Sequence, residues 1–268
     1  MAITTLDGVL AGMQPTSHFL KVGVAMEGAG IMHSHAYSTG SPGAIATPAP
    51  GIAGAALTTL SGSLPWTNPV SGNSYLARLT ANANAAGTLI LVDRLWHNSG
   101  ITVTTTTAQT VNSATFPARD RNGTTNGDDI LIGIEVSNAT GNGANITNTT
   151  MSYTNSAGTA GKTATMASFP QTANAGTFVP FQLAAGDVGV RSIQSLTLGT
   201  SYSSGTIHLV AYRVLSRVDV AVANIGNAVD ALTGGFPRLY DNTVPMLLWL
   251  PSATTAVTIL GEFIVTQG

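Results

Sequence analysis

Over most of the chain beyond residue 70, apolar and polar positions alternate or gather into short apolar runs, and Gly, Asn and Ser punctuate the runs. A period of two with such boundaries predicts β-strands. Residues 88–96 (TLILVDRLW) read as a buried strand that picks up charge at Asp93 and Arg94, and 101–106 follows after the turn signal Asn98-Ser99-Gly100. Residues 130–137 (ILIGIEVS) predict a further strand, and 149–155 with 162–168 the two arms of a hairpin. The series continues through 178–183, 193–198, 206–215, 246–250 and 256–266, and in 206–215 Ile207, Leu209 and Ala211 oppose His208, Val210 and Tyr212.

Two segments break this rhythm. Residues 4–12 predict a short helix capped by Thr4 or Thr5, with Asp7 in the first turn and Gly12 at its end. Leu6, Val9 and Leu10 share one side of it and need something to dock on, because so short a helix is unstable alone. In 218–232, Val222, Ile225, Val229 and Leu232 recur at spacings of three and four, which predicts a second helix stopped by Gly234-Gly235.

Between Gly28 and Gly62 the sequence is rich in Gly, Pro and Ala with little periodicity, as in an extended arm. The expected architecture is therefore all-β: a β-sandwich or jelly-roll-like core over 55–268, and a helix with an arm over 1–54. The arm and helix, through Leu6, Val9, Leu10, Phe19, Ile31, Tyr37, Ile45 and Ile52, are the expected contact surface, with Trp66 as a further anchor.

Composition sharpens the picture. Charged residues are 8% of the 268, the formal net charge is −2, and cysteine is absent, against roughly 25% charged residues in ordinary soluble proteins. The mean hydropathy of +0.26 is opposite to that of disordered chains. No basic patch serves a nucleic acid, and no apolar run reaches the ~18 residues of a spanning helix, so neither nucleic acid nor membrane is an expected partner. A surface so poor in charge suits a subunit that neighbours cover.

The candidate chemistry is sparse. His33-Ser34-His35 sets two imidazoles on one side of an extended segment, but two histidines do not specify a metal. The run 119–129 carries Asp120, Asn122, Asn126, Asp128 and Asp129, oxygen ligands of the kind calcium takes, yet an EF-hand's Gly and Glu are out of register, and a loop with Asn-Gly turns is the favoured reading. Serines abound without a Gly-x-Ser-x-Gly elbow; Ser61 comes closest. Glu135, Glu262 and Asp187 are the carboxylates a glycosidase pair would draw on, and a strand carboxylate paired with an arginine is the simpler expectation. No phosphate loop or dinucleotide fingerprint occurs. Hence no catalytic, cofactor-binding or metal-binding residues are expected, and the chain reads as a non-enzyme. Trp96 and Trp249 read as core.

The opening MAITTLDGVLAGMQP, the stretch GDVGVRSIQSLTLGTSYSSGTIHLVAYRVL (186–215) and the close FPRLYDNTVPMLLWLPSATTAVTILGEFIVTQG (236–268) resemble virion structural proteins of tailed bacteriophages. The resemblance carries no residue-level motif. It implies a non-enzymatic particle component made in the host bacterial cytoplasm and located in the virion. The leading form is a capsid decoration (cement) protein, homo-oligomeric with a trimer favoured, that binds the major capsid protein or other virion proteins. A tail or head–tail connector protein, or a carbohydrate- or receptor-binding β-sandwich, is the alternative.

Overall fold

The computed structural model describes residues 3, 5–235 and 237–268; Thr4, the alternative helix cap, and Phe236 lie outside them. In chain order the elements are α1 (Leu6–Ala11), β1 (Ser17–Val22), β2 (Met32–Ser34), a 3-10 turn (His35–Tyr37), β3 (Thr39–Ser41), β4 (Ala55–Ala56), β5 (Ser74–Ala83), β6 (Gly87–His97) and β7 (Gln109–Thr110). There follow β8 (Ile130–Gly141), β9 (Ile146–Asn155), β10 (Lys162–Phe169), β11 (Thr172–Ala173), β12 (Thr177–Pro180), β13 (Val190–Thr197) and β14 (Ser204–Val220). The last are β15 (Asn227–Asp230), α2 (Ala231–Gly234), β16 (Arg238–Leu239), β17 (Pro245–Pro251) and β18 (Thr258–Gln267). The protein is nearly all β, in sandwich-like layers, as its alternation predicts.

The chain forms two compact units: residues 1–45, 59–93 and 214–268 make the first, and 46–58 with 94–213 the second. The low-complexity segment is mostly irregular, with the short strands β2, β3 and β4 in it, and is divided between the units. Its Ile45 and Leu57 are buried, and the Leu57 amide donates to the Leu95 carbonyl at 2.8 Å.

In the first unit one layer runs β15-β5-β18-β1-β3, with β16 also paired to β5. The facing layer takes β2, β17, the start of β6 and the end of β14. Phe19, Leu79, Leu89, Trp249, Ile259 and Phe263 fill the space between. Gly261 is required where β18 crosses β5, since a Cβ there would lie 2.1 Å from the Thr80 carbonyl oxygen and 2.6 Å from the Phe19 ring.

In the second unit β8, flanked by β11, β12 and β14, packs over the layer β10-β9-β13-β7. Ile130, Ile132, Ile134 and Val136 of β8 point into this core with Tyr153, Phe169 and Ile193, so the period of two in ILIGIEVS is read out directly. The β9–β10 hairpin forms as expected, with Lys162 opposite Tyr153 and Phe169 opposite Ile146.

Two expectations need correction. The helix predicted over 218–232 is not formed: β14 runs on to Val220, a turn follows, and only Ala231–Gly234 is helical. The buried positions there are Val218 and Val220, at strand alternation with exposed Asp219 between them, whereas Val222, Ile225 and Leu232, which gave the helical spacing, are exposed. Gly226 and Asn224, the latter at φ 63, suit a turn better than a helix. The strand expected over 101–106 is also absent, being turns and irregular chain. The N-terminal helix holds: the Thr5 hydroxyl accepts from the Gly8 amide and Gly12 closes it.

Candidate interaction site

Each polar constellation singled out from the sequence turns out to be consumed by its own surroundings. The Asp120 carboxylate is buried and accepts from the amides of Asn122, Thr124, Gly127 and Asp128 and from the Thr124 hydroxyl. Its charge thus fills the nest of donors that the loop offers, and although burial opposes ionisation, these bonds hold its pKa below the usual carboxylate value. Asn122 donates to Asp128 and Arg121 pairs with Asp129 at 3.3 Å, leaving a loop tied by its own side chains.

His33 and His35 do lie together, rings edge to face at 5.7 Å, and both are buried in the first unit. Burial first, then the charges of His33 and Lys21, lowers His35 to about 3. Lys21, itself buried and lowered to about 8, donates to the Gly43 carbonyl. A cation beside two imidazoles repels a metal ion. Among the described residues no three His, Cys, Asp or Glu side chains are grouped as a metal would need.

Glu135 takes the arginine partner expected of it: the Arg94 guanidinium donates to it at 2.8 Å, both side chains being almost fully buried in the second unit. The second Arg94 arm reaches His97 Nδ1 at 3.1 Å. An arginine can only donate, so His97 accepts at Nδ1 and carries its proton on Nε2. Burial, with Arg94 adding to it, lowers His97 to about 3. His208 Nδ1 meets the Asn98 carbonyl at 2.8 Å and so donates there, while Nε2 accepts from the Ser137 hydroxyl at 2.7 Å. Asp187 accepts from the Tyr153 hydroxyl and the Asn155 amide and pairs with Lys162 at 3.7 Å. Glu262 belongs to the first unit, next to His18 at 3.8 Å. Each carboxylate therefore has local partners of its own.

What remains is an open groove of mixed lining on the first unit. On β1 the buried positions are Phe19 and Lys21, so His18, Leu20 and Val22 face outward. The register pairs His18 with Glu262 and Leu20 with Leu260 on β18, and Leu260 with Asn82 on β5. These side chains line a groove of about 760 Å³, whose floor also holds Ala81, Ala228, Gly226 and Gly261, and Arg78 lies at its edge. Leu20 is 41% and Leu260 48% exposed. Alternation along a sheet covered on one face normally places polar residues outward; the cross-strand pair of leucines departs from that alternation.

The expected contact residues fall into two groups. Leu6 and Leu10 are exposed, at 61% and 60%, and Ile52 is partly so. Val9 is turned in, its carbonyl accepting from the Thr266 hydroxyl, because a six-residue helix resting on β18 can bury only one side. Phe19 and Ile45 are buried in this chain, Ile31 and Tyr37 are half-buried, and half-buried Trp66 donates to the Thr243 carbonyl at 2.8 Å. Trp96 and Trp249 are core. Leu20 and Leu260 were missed by sequence reading; the signal was present as His-Phe-Leu-Lys-Val, whose alternation puts Leu and Val on the face opposite Phe.

No family model matches this sequence, and no curated protein matches it. Among solved structures, the chain is similar to the structure of infectious bursal disease virus Gt strain, at 12% identity over 96% of this chain and 81% of that one, with a TM-score of 0.20. It is similar also to the crystal structure of the infectious bursal disease virus VP2 subviral particle, at 11% identity over 95% and 80% of the two chains, with a TM-score of 0.17. Superposition this loose carries no weight for role, and the all-β architecture stands on the strands themselves.

Proposed function

We propose that the protein is a non-enzymatic structural subunit of a virus particle, of the tailed-bacteriophage type, acting as a capsid decoration protein. One observation carries the reading: the Leu20–Leu260 pair lies exposed in an open groove on the first unit, while the ionisable clusters singled out above are spent on internal bonding. Catalysis needs groups held ready for a substrate, with perturbed pKa values and free valences in a cleft. The perturbed histidines here are buried and the carboxylates bonded. The resemblance of the opening, middle and closing stretches to tailed-phage virion proteins supplies the particle context, with the major capsid protein and further copies of the chain as partners.

Low charge fits contacts made through apolar side chains and backbone hydrogen bonds, which resist salt. The exposed large apolar side chains among the described residues are Leu, Val, Ile and Met; glycan recognition favours aromatic faces, so the sugar-binding alternative is weaker. Quantitative mass spectrometry of gradient-purified particles tests the proposal. Hundreds of copies per particle support a decoration role, and a handful moves the protein to the connector or tail tip. Its absence from particles, with the protein free in the lysate, refutes it.

A further inference from the structure

We infer that Asn142 is a self-modification site, losing ammonia through cyclisation on the Gly143 nitrogen, while the fold protects the two other Asn-Gly pairs of the chain. Asparagine followed by glycine is labile, because no Cβ on the glycine hinders attack of its backbone nitrogen on the side-chain carbonyl. The sequence holds three such pairs, Asn122-Gly123, Asn126-Gly127 and Asn142-Gly143. In the reaction the Gly143 nitrogen loses its proton to base and bonds to Asn142 Cγ, the Cγ–Nδ2 bond breaks, and Nδ2 leaves as ammonia. Water then opens the cyclic imide at either carbonyl. One opening gives aspartate; the other gives isoaspartate, with the main chain routed through the side chain. This chemistry needs only solvent and is independent of the particle role.

What separates the pairs is where each glycine N–H goes. The Gly123 amide donates to the Asp120 carbonyl and the Gly127 amide to the Asp120 carboxylate, both at 3.1 Å. The side chains are held too: Asn122 donates to the Asp128 carboxylate at 2.8 Å, and Asn126 Oδ1 accepts from Arg191 at 2.7 Å. Gly127 is buried against β13, where a Cβ would lie 2.1 Å from the Val190 carbonyl oxygen. An amide that donates to a carboxylate gives up its proton reluctantly, and a pinned side chain cannot swing its Cγ onto the nitrogen. Asn142 lies instead in the connection from β8 to β9, which crosses between the two layers of the second unit. Gly143 is exposed, with nothing within 4 Å of a Cβ built on it, and its amide has no acceptor among the described residues. The Asn142 side chain donates to the Ala144 carbonyl at 3.2 Å, an exposed contact that draws it forward along the chain, to the side the attack needs.

The product places a carboxylate on that connection, in a chain whose formal net charge is −2, and the isoaspartyl form lengthens the main chain by one carbon. The test incubates the full-length protein in warm, mildly alkaline buffer and follows its peptides by mass spectrometry. Trypsin cuts after Arg121 and Lys162, so one peptide carries all three pairs, and electron-transfer fragmentation assigns each conversion and tells aspartate from isoaspartate. Asn142 should convert at least about tenfold faster than Asn122 or Asn126, the factor that one hydrogen bond to a charged group is worth, and should yield both products. In concentrated guanidinium chloride, with unfolding verified by circular dichroism, the gap should close. Gly143→Ala, at a position with room for a methyl group, should slow conversion of Asn142 severalfold while the thermal midpoint stays that of the wild type. Equal rates in the folded protein, faster loss of Asn122 or Asn126, a gap that persists in the unfolded chain, aspartate without isoaspartate, or a Gly143→Ala variant that converts at the wild-type rate would overturn the inference.

Discussion

Asp120 illustrates how much of this molecule's charge works inward. Its carboxylate ties the 119–129 loop by accepting from four backbone amides and the Thr124 hydroxyl, so Asp120→Ala should destabilise the second unit by about 2–4 kcal/mol, several lost charge-assisted bonds that are not additive. Urea unfolding followed by tryptophan fluorescence would measure it, and an unchanged midpoint would show the loop to be ornamental. Glu135→Gln leaves the Arg94 cation buried without its counter-charge and should cost about 3–5 kcal/mol. The histidines set an acid limit. His35 and His97 stay neutral in the folded protein down to about 3, whereas their ordinary value is 6.5. As pH falls the unfolded chain takes up these protons first, so stability present in full above about pH 6.5 is lost progressively towards pH 3. Denaturation midpoints recorded from pH 7 to 4 should fall steadily, and a flat profile over that range would contradict the burial of both rings.

At the scale of elements, the sequence made the long strands legible because their alternation is dictated by a face: β6, β8, β9, β10 and β18 lie within a few residues of their expected bounds. It misled at 218–232 because Val, Ile and Leu at intervals of three and four occur by coincidence in a chain this rich in apolar residues, and burial alone decides which of them count. Strand β5 went unread since Ala77, Ala81 and Ala83 are apolar positions with weak β signal. The groove was not legible, because it needs β1, β5 and β18, distant in sequence, to be brought side by side. Strand β1 sits between β18 and β3, so removing residues 1–54 opens the sheet as well as shortening the chain. Such a truncation should lose the first unit's cooperative unfolding transition. Gly261→Ala should destabilise the same sheet by about 1–3 kcal/mol through overpacking against Thr80 and Phe19, with retention of wild-type stability the contrary result.

For the whole molecule, the proposed subunit role rests on two sandwich units and on a chain with only 8% charged residues. Ionic strength separates this from charge-steered assembly: raising salt from 0.1 to 1 M should leave self-association within about threefold, since apolar contacts are not screened. The decisive observation is a cryo-electron microscopy reconstruction of the intact particle. The account predicts both β-sandwich units resolved at many symmetry-related positions on the outer shell. A fully occupied shell whose density has no place for this chain would contradict it.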